Sequence, residues 1–235
     1  MTNQCRKIAL IGASGRVGKS LIQRIYTSPS WDITMELTRD LSKLNTIHAN
    51  SFPPHIIIDF SHADTTYQLA KMLVDHSIPL LIGTTGLNEV TYELLARCAK
   101  TAPVMIVPNT SIGIIILHKL LRLTAAQLDS TFDIDITETH HRHKKDAPSG
   151  TALSLQKTLN NTTTNPISVH SLRAGKDTAD HVISFQGDNE SLTFSHRVSS
   201  RDVFADGALR LANWLIQQES GVYTTDDFLN TSSTK

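Results

Sequence analysis

Lys7-Ile8-Ala9-Leu10-Ile11-Gly12-Ala13-Ser14-Gly15-Arg16-Val17-Gly18 decides the fold. A short apolar run breaks into a glycine turn and continues as Arg16 to Tyr26, where Val17, Leu21, Ile22 and Ile25 recur near helical spacing. A strand that turns through glycines straight into a helix aims free N–H groups and the positive end of the helix dipole at one point, the arrangement that receives a phosphate. Gly12 suits the tight turn, Gly15 the close approach of backbone to a pyrophosphate, and Gly18 close packing of helix on strand. Gly12, Ala13, Ser14, Gly15, Arg16 and Val17 are therefore the expected dinucleotide-binding residues of this turn.

Outward from the turn, apolar runs at Ile33 to Leu37, Ile56 to Phe60, Leu80 to Gly83 and Val104 to Val107 alternate with helical stretches at Leu69 to Val74 and Val90 to Ala99. Continuous apolar strands separated by helices predict a doubly wound, Rossmann-like parallel sheet covered on both faces. From Phe132 the period changes: Ile134 and Ile136 alternate with Asp133, Asp135 and Thr137, as in a strand with one solvated face. The runs Ile167 to Leu172, His181 to Gln186 and Ser191 to Val198 follow, the last two joined by a turn at Gly187, Asp188 and Asn189. An α+β domain with a mainly antiparallel sheet is expected here. Ala208 to Ile216 returns to helical spacing, an amphipathic element suited to packing back on the first domain. The expected division is 1–110 with 200–235 for the cofactor and 111–199 as a second domain.

A rival reading shares the same residues. Ala13 to Ser20 reads A-x-x-x-x-G-K-S, close to a phosphate-cradling P-loop, and Ile56-Ile57-Ile58-Asp59 resembles the acidic strand that accompanies one. Position 13 is Ala where that loop has Gly, and a phosphohydrolase leaves the histidine-rich segment downstream unexplained. For a dinucleotide, the second strand runs Met35-Glu36-Leu37-Thr38-Arg39, with Thr38 where an acid would take the ribose 2′-hydroxyl. Arg39, with Arg16 nearby, pairs instead with a 2′-phosphate, which favours NADPH and leaves NADH use open.

Composition narrows the remaining classes. Acidic and basic residues balance at 22 each, which gives no bulk field for nucleic acid or an anionic membrane. Cys5 and Cys98 alone make neither a disulfide framework nor a zinc site, no apolar run reaches membrane-spanning length, and the N-terminal residues lack a signal peptide's h-region. A cytoplasmic enzyme or binding protein is expected.

The densest chemistry lies in Glu138-Thr139-His140-His141-Arg142-His143-Lys144-Lys145-Asp146-Ala147-Pro148-Ser149-Gly150-Thr151. Every residue from His140 to Lys145 can carry positive charge, and Ser149-Gly150-Thr151 reads as a capped helix start that suits a carboxylate. Proton donors beside a carboxylate site fit a dicarboxylate substrate reduced by hydride, because the carbon left electron-rich must take a proton. A metal site from His140, His141 and His143 is the competing reading, with no Cys or acid at ligand spacing to complete it. A redox sensor that binds the nucleotide without chemistry is another, though it has no use for Lys144 at this place.

Glu138 to Ala152 also carries E-x-H-H-x-x-K-x-D-x-P-S-G-T-A, and here the sequence resembles the dihydrodipicolinate reductase family. Gly83-Thr84-Thr85-Gly86, Asn109-Thr110-Ser111-Ile112-Gly113, Arg173-Ala174-Gly175, His181, His196 and Ser200-Arg201 extend the likeness along nearly the whole chain. The resemblance implies that His140 is the acid/base residue, that Lys144 donates the proton, and that His141, Ser149, Gly150 and Thr151 bind substrate carboxylates. It implies that Gly83, Thr84 and Thr85 line the nicotinamide ribose and that Val107, Pro108, Asn109 and Thr110 close the other side. A homotetramer reducing 4-hydroxy-tetrahydrodipicolinate with NADPH or NADH, without a metal, is what such a protein would be. Thr110 departs from the family's usual Phe or Met and implies a less apolar nicotinamide wall. Ala179-Asp180 stands where Gly-Glu is common, and the region after Arg39 is shorter than usual.

Overall fold

The computed structural model describes residues 5–38, 40–42, 44, 53–176 and 179–231. Its chain contacts divide into two compact units, one of residues up to Ser111 together with Asp202 onwards, the other Ile112–Arg201.

The first unit opens with β1 (Arg6–Ile11), α1 (Arg16–Tyr26), β2 (Trp31–Leu37), β3 (Ile56–Asp59), α2 (Ala63–Leu73), β4 (Leu80–Ile82), α3 (Glu89–Cys98) and β5 (Pro103–Ile106). The second holds α4 (Ile112–Ala125), β6 (Asp133–His140), α5 (Gly150–Asn160), β7 (Ile167–Arg173), β8 (Ala179–Gln186) and β9 (Ser191–Val198). The chain then returns to the first unit as α6 (Asp202–Leu215), β10 (Gly221–Tyr223) and α7 (Thr225–Thr231).

The first sheet runs β10-β5-β4-β3-β1-β2 with every pairing parallel, the doubly wound arrangement expected from its apolar runs. Ile56, Ile57 and Ile58 are each fully buried, as are Leu80, Leu81 and Ile82. Neither β3 nor β4 turns a residue to water, because helices cover both sides of the sheet there. One face packs Ile57, Leu80 and Val104 with Leu69 and Leu73 of α2 and Leu95 and Cys98 of α3. The other meets α6, which also packs along α1. Ser20 of α1 donates to Asp202 at 2.6 Å, and Arg24 pairs with Asp202 and Asp206 at 3.3 and 3.0 Å. These exposed ion pairs add little stability, and the buried Ala205, Ala208, Leu211, Ala212 and Leu215 carry the contact.

The second sheet runs β7-β6-β8-β9, with β6–β8 and β8–β9 antiparallel and β6–β7 parallel. The mainly antiparallel expectation holds, with one parallel edge that arises because α5 carries the chain back between β6 and β7. Alternation along β6 buries Ile134 and Ile136, which pack with Ile183 and Phe185 of β8 beneath Leu117 and Leu121 of α4 and Leu155 and Leu159 of α5. The β8–β9 hairpin closes through Gly187, whose N–H donates to the Glu190 carbonyl at 2.9 Å.

Candidate active site

In the first unit the chain reverses its direction across the sheet between β1 and β3, the place where open parallel sheets form a ligand crevice. The glycine turn lies there. Gly12 adopts φ +82°, and an added Cβ would sit 2.4 Å from the Phe60 carbonyl oxygen, so only glycine fits. The N–H groups of Gly12 and Ala13 donate to the Leu37 carbonyl at 2.9 and 3.1 Å, tying the turn to the end of β2. Helix α1 begins at Gly15 with no side-chain cap and no acid in its first turn, which leaves its dipole end uncompensated. Gly12, Ser14, Gly15, Thr38, Phe60, Ser61, His62 and Thr65 line a cavity of about 140 Å³ at this point. A larger cavity of about 800 Å³ shares His62 and Thr65 with it and continues along Asp64, Gln68 and Leu41. An uncapped helix start over a glycine cradle, opening into a larger cleft, fits a pyrophosphate with a nucleoside beyond it.

Of the other residues expected at this site, Ala13 is buried under the turn, Arg16 is exposed, Val17 is half-buried, and Arg39 lies outside the described residues. Thr84 is buried and accepts from the Ser61 N–H at 3.1 Å; Gly83 donates to the Asp59 carbonyl at 2.8 Å, and Thr85 is exposed. Val107 donates to the Ile82 carbonyl at 2.8 Å, Pro108 is exposed, and Asn109 accepts from the Ser111 N–H at 3.0 Å. Thr110 is fully buried and its hydroxyl donates to the Phe204 carbonyl at 2.6 Å. The turn, Thr84 and Val107 thus follow the carboxyl ends of β1, β4 and β5, strands of the same parallel sheet.

The P-loop reading fails on its own residues. The Ser20 hydroxyl, which would hold a metal ion in such a loop, is committed to Asp202. Asp59 is fully buried, accepting from the Ser61 N–H at 2.9 Å and from the Thr66 hydroxyl at 2.6 Å, and burial raises its pKa. Its work is to shape the loop after β3.

The second unit brings the histidine-rich segment around one carboxylate. Glu138 occupies the third inward position of β6 after Ile134 and Ile136 and has no solvent exposure. It lies opposite Ser171 on β7 and His181 on β8. Both terminal guanidinium nitrogens of Arg173 donate to it, Nη2 to Oε1 at 2.7 Å and Nη1 to Oε2 at 2.9 Å, in the bidentate geometry that favours this pair. The Ser149 N–H adds a bond to Oε1 at 3.2 Å, and His140 Nδ1 meets Oε2. Burial pushes the Glu138 carboxyl up, but Arg173, Ser171 and His140 outweigh it and hold the group at about 2.

Around this anion the loop is pinned. Arg173 Nη2 also donates to the Asp146 carbonyl at 2.6 Å, and the Lys144 ammonium pairs with the Asp146 carboxylate at 2.9 Å, which lowers that acid's pKa. Lys144 N–H donates to the His141 carbonyl at 3.0 Å, while the His141 and His143 rings stand 6.5 Å apart. Ser149 caps α5 by accepting from the Ala152 N–H at 3.1 Å, and its hydroxyl lies 3.3 Å from His181 Nε2. Burial first, then the charge of His140, lowers the His181 pKa to about 4. Gly150 and Thr151 open α5 with no acid in the first turn, and a Cβ at Gly150 would meet nothing within 4 Å. Among the described residues no three His, Cys, Asp or Glu side chains are arranged to hold a metal.

His140, Lys144, Ser149, Gly150 and Thr151 are thus organised in one unit, and the residues joining them, Glu138 and Arg173, stood in the quoted motifs without being assigned a place in the site. The signal was available: alternation through Ile134 and Ile136 puts Glu138 on the apolar face, where a carboxylate must have a partner.

Comparison with known proteins agrees with this geometry. Curated 4-hydroxy-tetrahydrodipicolinate reductases of Rickettsia bellii and Zymomonas mobilis are 38% and 36% identical, the first covering 94% of this chain and 93% of its own length, the second 95% and 96%. A dipicolinate-bound dihydrodipicolinate reductase from Paenisporosarcina sp. TG-14 shares the fold with a TM-score of 0.79 at 19% identity, over 94% of this chain and 98% of that one. An amine dehydrogenase from Mycobacterium smegmatis shares it more loosely, with a TM-score of 0.63 at 8% identity over 94% and 95% of the two chains. Residues 6–110 match the family model described as dihydrodipicolinate reductase, N-terminus, and residues 113–229 the one described as its C-terminus. A nucleotide crevice in one unit and a histidine-lysine loop at a helix start in the other are accounted for together, because the chain belongs to the dihydrodipicolinate reductase family.

Proposed function

We propose that this chain reduces 4-hydroxy-tetrahydrodipicolinate to tetrahydrodipicolinate with NAD(P)H, the 4-hydroxyl leaving as water before hydride and a proton add to the resulting double bond, a step of lysine and diaminopimelate biosynthesis. The observation that carries the reading is the ordered segment from Glu138 to Thr151, which joins a histidine and a lysine to the capped start of α5. The bound nicotinamide supplies the hydride. The start of α5 at Ser149, Gly150 and Thr151, with His141, receives the substrate carboxylates through backbone donors and the helix dipole. Lys144 gives a proton to the ring carbon left electron-rich, releasing Asp146, and His140 serves as the acid/base residue beside it.

In the first unit Gly12, Ala13, Ser14, Gly15, Arg16 and Val17 take the pyrophosphate. Gly83, Thr84, Thr85, Val107, Pro108, Asn109 and Thr110 take the nicotinamide half. The Thr110 hydroxyl is spent on Phe204, so its contribution is made through the backbone. Thr38 lines the crevice where an acid would hold a ribose 2′-hydroxyl, which, with Arg39 next in sequence, favours NADPH over NADH. The second unit is assigned to substrate binding and to assembly of a homotetramer, readable by light scattering on the eluting protein.

A coupled assay that generates the unstable substrate in situ while nicotinamide absorbance is followed tests the reading. Lys144→Ala should lower kcat by about 10² to 10⁴ with cofactor affinity nearly unchanged. The Lys144–Asp146 pair is partly exposed and worth at most about 1 kcal/mol, so the thermal midpoint should hold. A variant with full kcat removes Lys144 from the mechanism, and absence of turnover in the unaltered protein overturns the activity.

A further inference from the structure

Ile134, Ile136 and Glu138 share the buried face of β6, and an apolar residue at the third position would pack there without a desolvation cost. Removing a carboxylate and a guanidinium from water costs more than their mutual attraction returns in many proteins, so a buried pair of this kind is weak evidence for a purely stabilising role. The bonds that Glu138 accepts from His140, Ser149 and Arg173 lead instead to the proposed site. His140 Nδ1 carries the acid/base ring, Ser149 N–H begins α5, and Arg173 reaches on to the Asp146 carbonyl in the loop that holds Lys144. An ionised carboxylate has no proton to give, so the hydrogen between Glu138 and His140 belongs to Nδ1. The His181 ring stands edge-on to His140 with centroids 5.2 Å apart and restricts its rotation.

We infer that Glu138, held as an anion by Arg173, is the positioning residue of this site. It fixes His140 in the Nδ1–H tautomer, leaves Nε2 as the ring atom that exchanges a proton, and ties the start of α5 and the Lys144 loop to the same point. The inference rests on the role proposed above for His140 and adds what sets that role.

The tautomer is read by nitrogen NMR on protein labelled in its histidine rings, with His140 assigned by its loss in His140→Ala. In the unaltered protein the neutral ring should carry its proton on Nδ1. In Glu138→Gln the single amide oxygen goes to Arg173 and the amide N–H₂ faces the ring, so the proton should move to Nε2. kcat should then fall about 10- to 100-fold, as when an orienting partner of a histidine is lost, with NADPH affinity within twofold. If an unpaired Arg173 prevents folding, Glu138→Leu with Arg173→Met removes both charges and every acceptor, and the same tautomer shift and loss of kcat are expected. A folded variant of either kind that keeps the Nδ1 proton overturns the inference, as does a switched tautomer with kcat within twofold of the unaltered protein. Full kcat in His140→Ala would instead bring down the role assigned to His140, while the tautomer measurement still reports on Glu138.

Discussion

Burial, with the neighbouring charge of His140, takes the His181 imidazole from its ordinary 6.5 down to about 4, so the fold accepts it only as a neutral ring. A histidine depressed in this way contributes stability that is whole above pH 6.5 and is lost as the pH falls towards 4. Glu138 acts lower on the same scale. Its carboxyl falls from 4.5 to about 2, so its stabilisation is whole above pH 4.5 and disappears towards pH 2. Each shift corresponds to about 3 kcal/mol, comparable with a large part of a small protein's stability. Urea unfolding followed from pH 7 to pH 3 should show stability falling in two overlapping stages. His181→Asn should shrink the upper stage, to which His196, also lowered by burial, adds, and keep the lower. An unchanged slope between pH 6.5 and 4 in that variant would place the acid sensitivity elsewhere.

Helix α6 shows how an element can be held to one residue type by its neighbour. Gly207 lies inside the helix, where Ala would be favoured by about 1 kcal/mol on propensity alone. A Cβ there would stand 1.8 Å from the Thr110 carbonyl oxygen, a backbone atom with no room to retreat. Overpacking of this kind costs about 1 to 3 kcal/mol or more, so Gly207→Ala should destabilise despite its better propensity. A raised midpoint on calorimetry would contradict the contact. The sequence hid this because the contact joins residues 94 or more apart, and periodicity reports only on a segment's own faces. The same limit explains α4, for which no helix was expected: isoleucines crowd its first turn and obscure any helical stripe. β10 is three residues long and pairs at the sheet edge with β5, too short for a local pattern. By contrast β1, β3, β4 and the alternating β6 were legible because burial on both faces or on one writes itself directly into residue order. At the site, the loop and helix start were legible as residue types, whereas the Glu138–Arg173 pair spans two strands and needed the register.

On the scale of the molecule, the first unit is assembled from two stretches of chain separated by the whole of the second. Cutting after Arg201 removes α6, β10 and α7, including the fully buried Ala205, Ala208, Leu211, Ala212 and Leu215. Losing two buried leucines alone corresponds to several kcal/mol, so the first unit of such a fragment should not unfold cooperatively. The continuous second unit has its own core from α4, α5, β6 and β8 and should keep a transition of its own. Full-length unfolding behaviour from the shortened chain would refute this. A ribosome meets the same arrangement in time. It delivers β1 to β5 first, with the surface that α6 will cover still open, and then ninety residues that can close on themselves before the covering helix exists. The half of the protein made earliest is therefore the half that matures last. Protease added to stalled nascent chains should cut the nucleotide-binding half readily until residues 202–215 have left the exit tunnel, and should spare the inserted unit well before then.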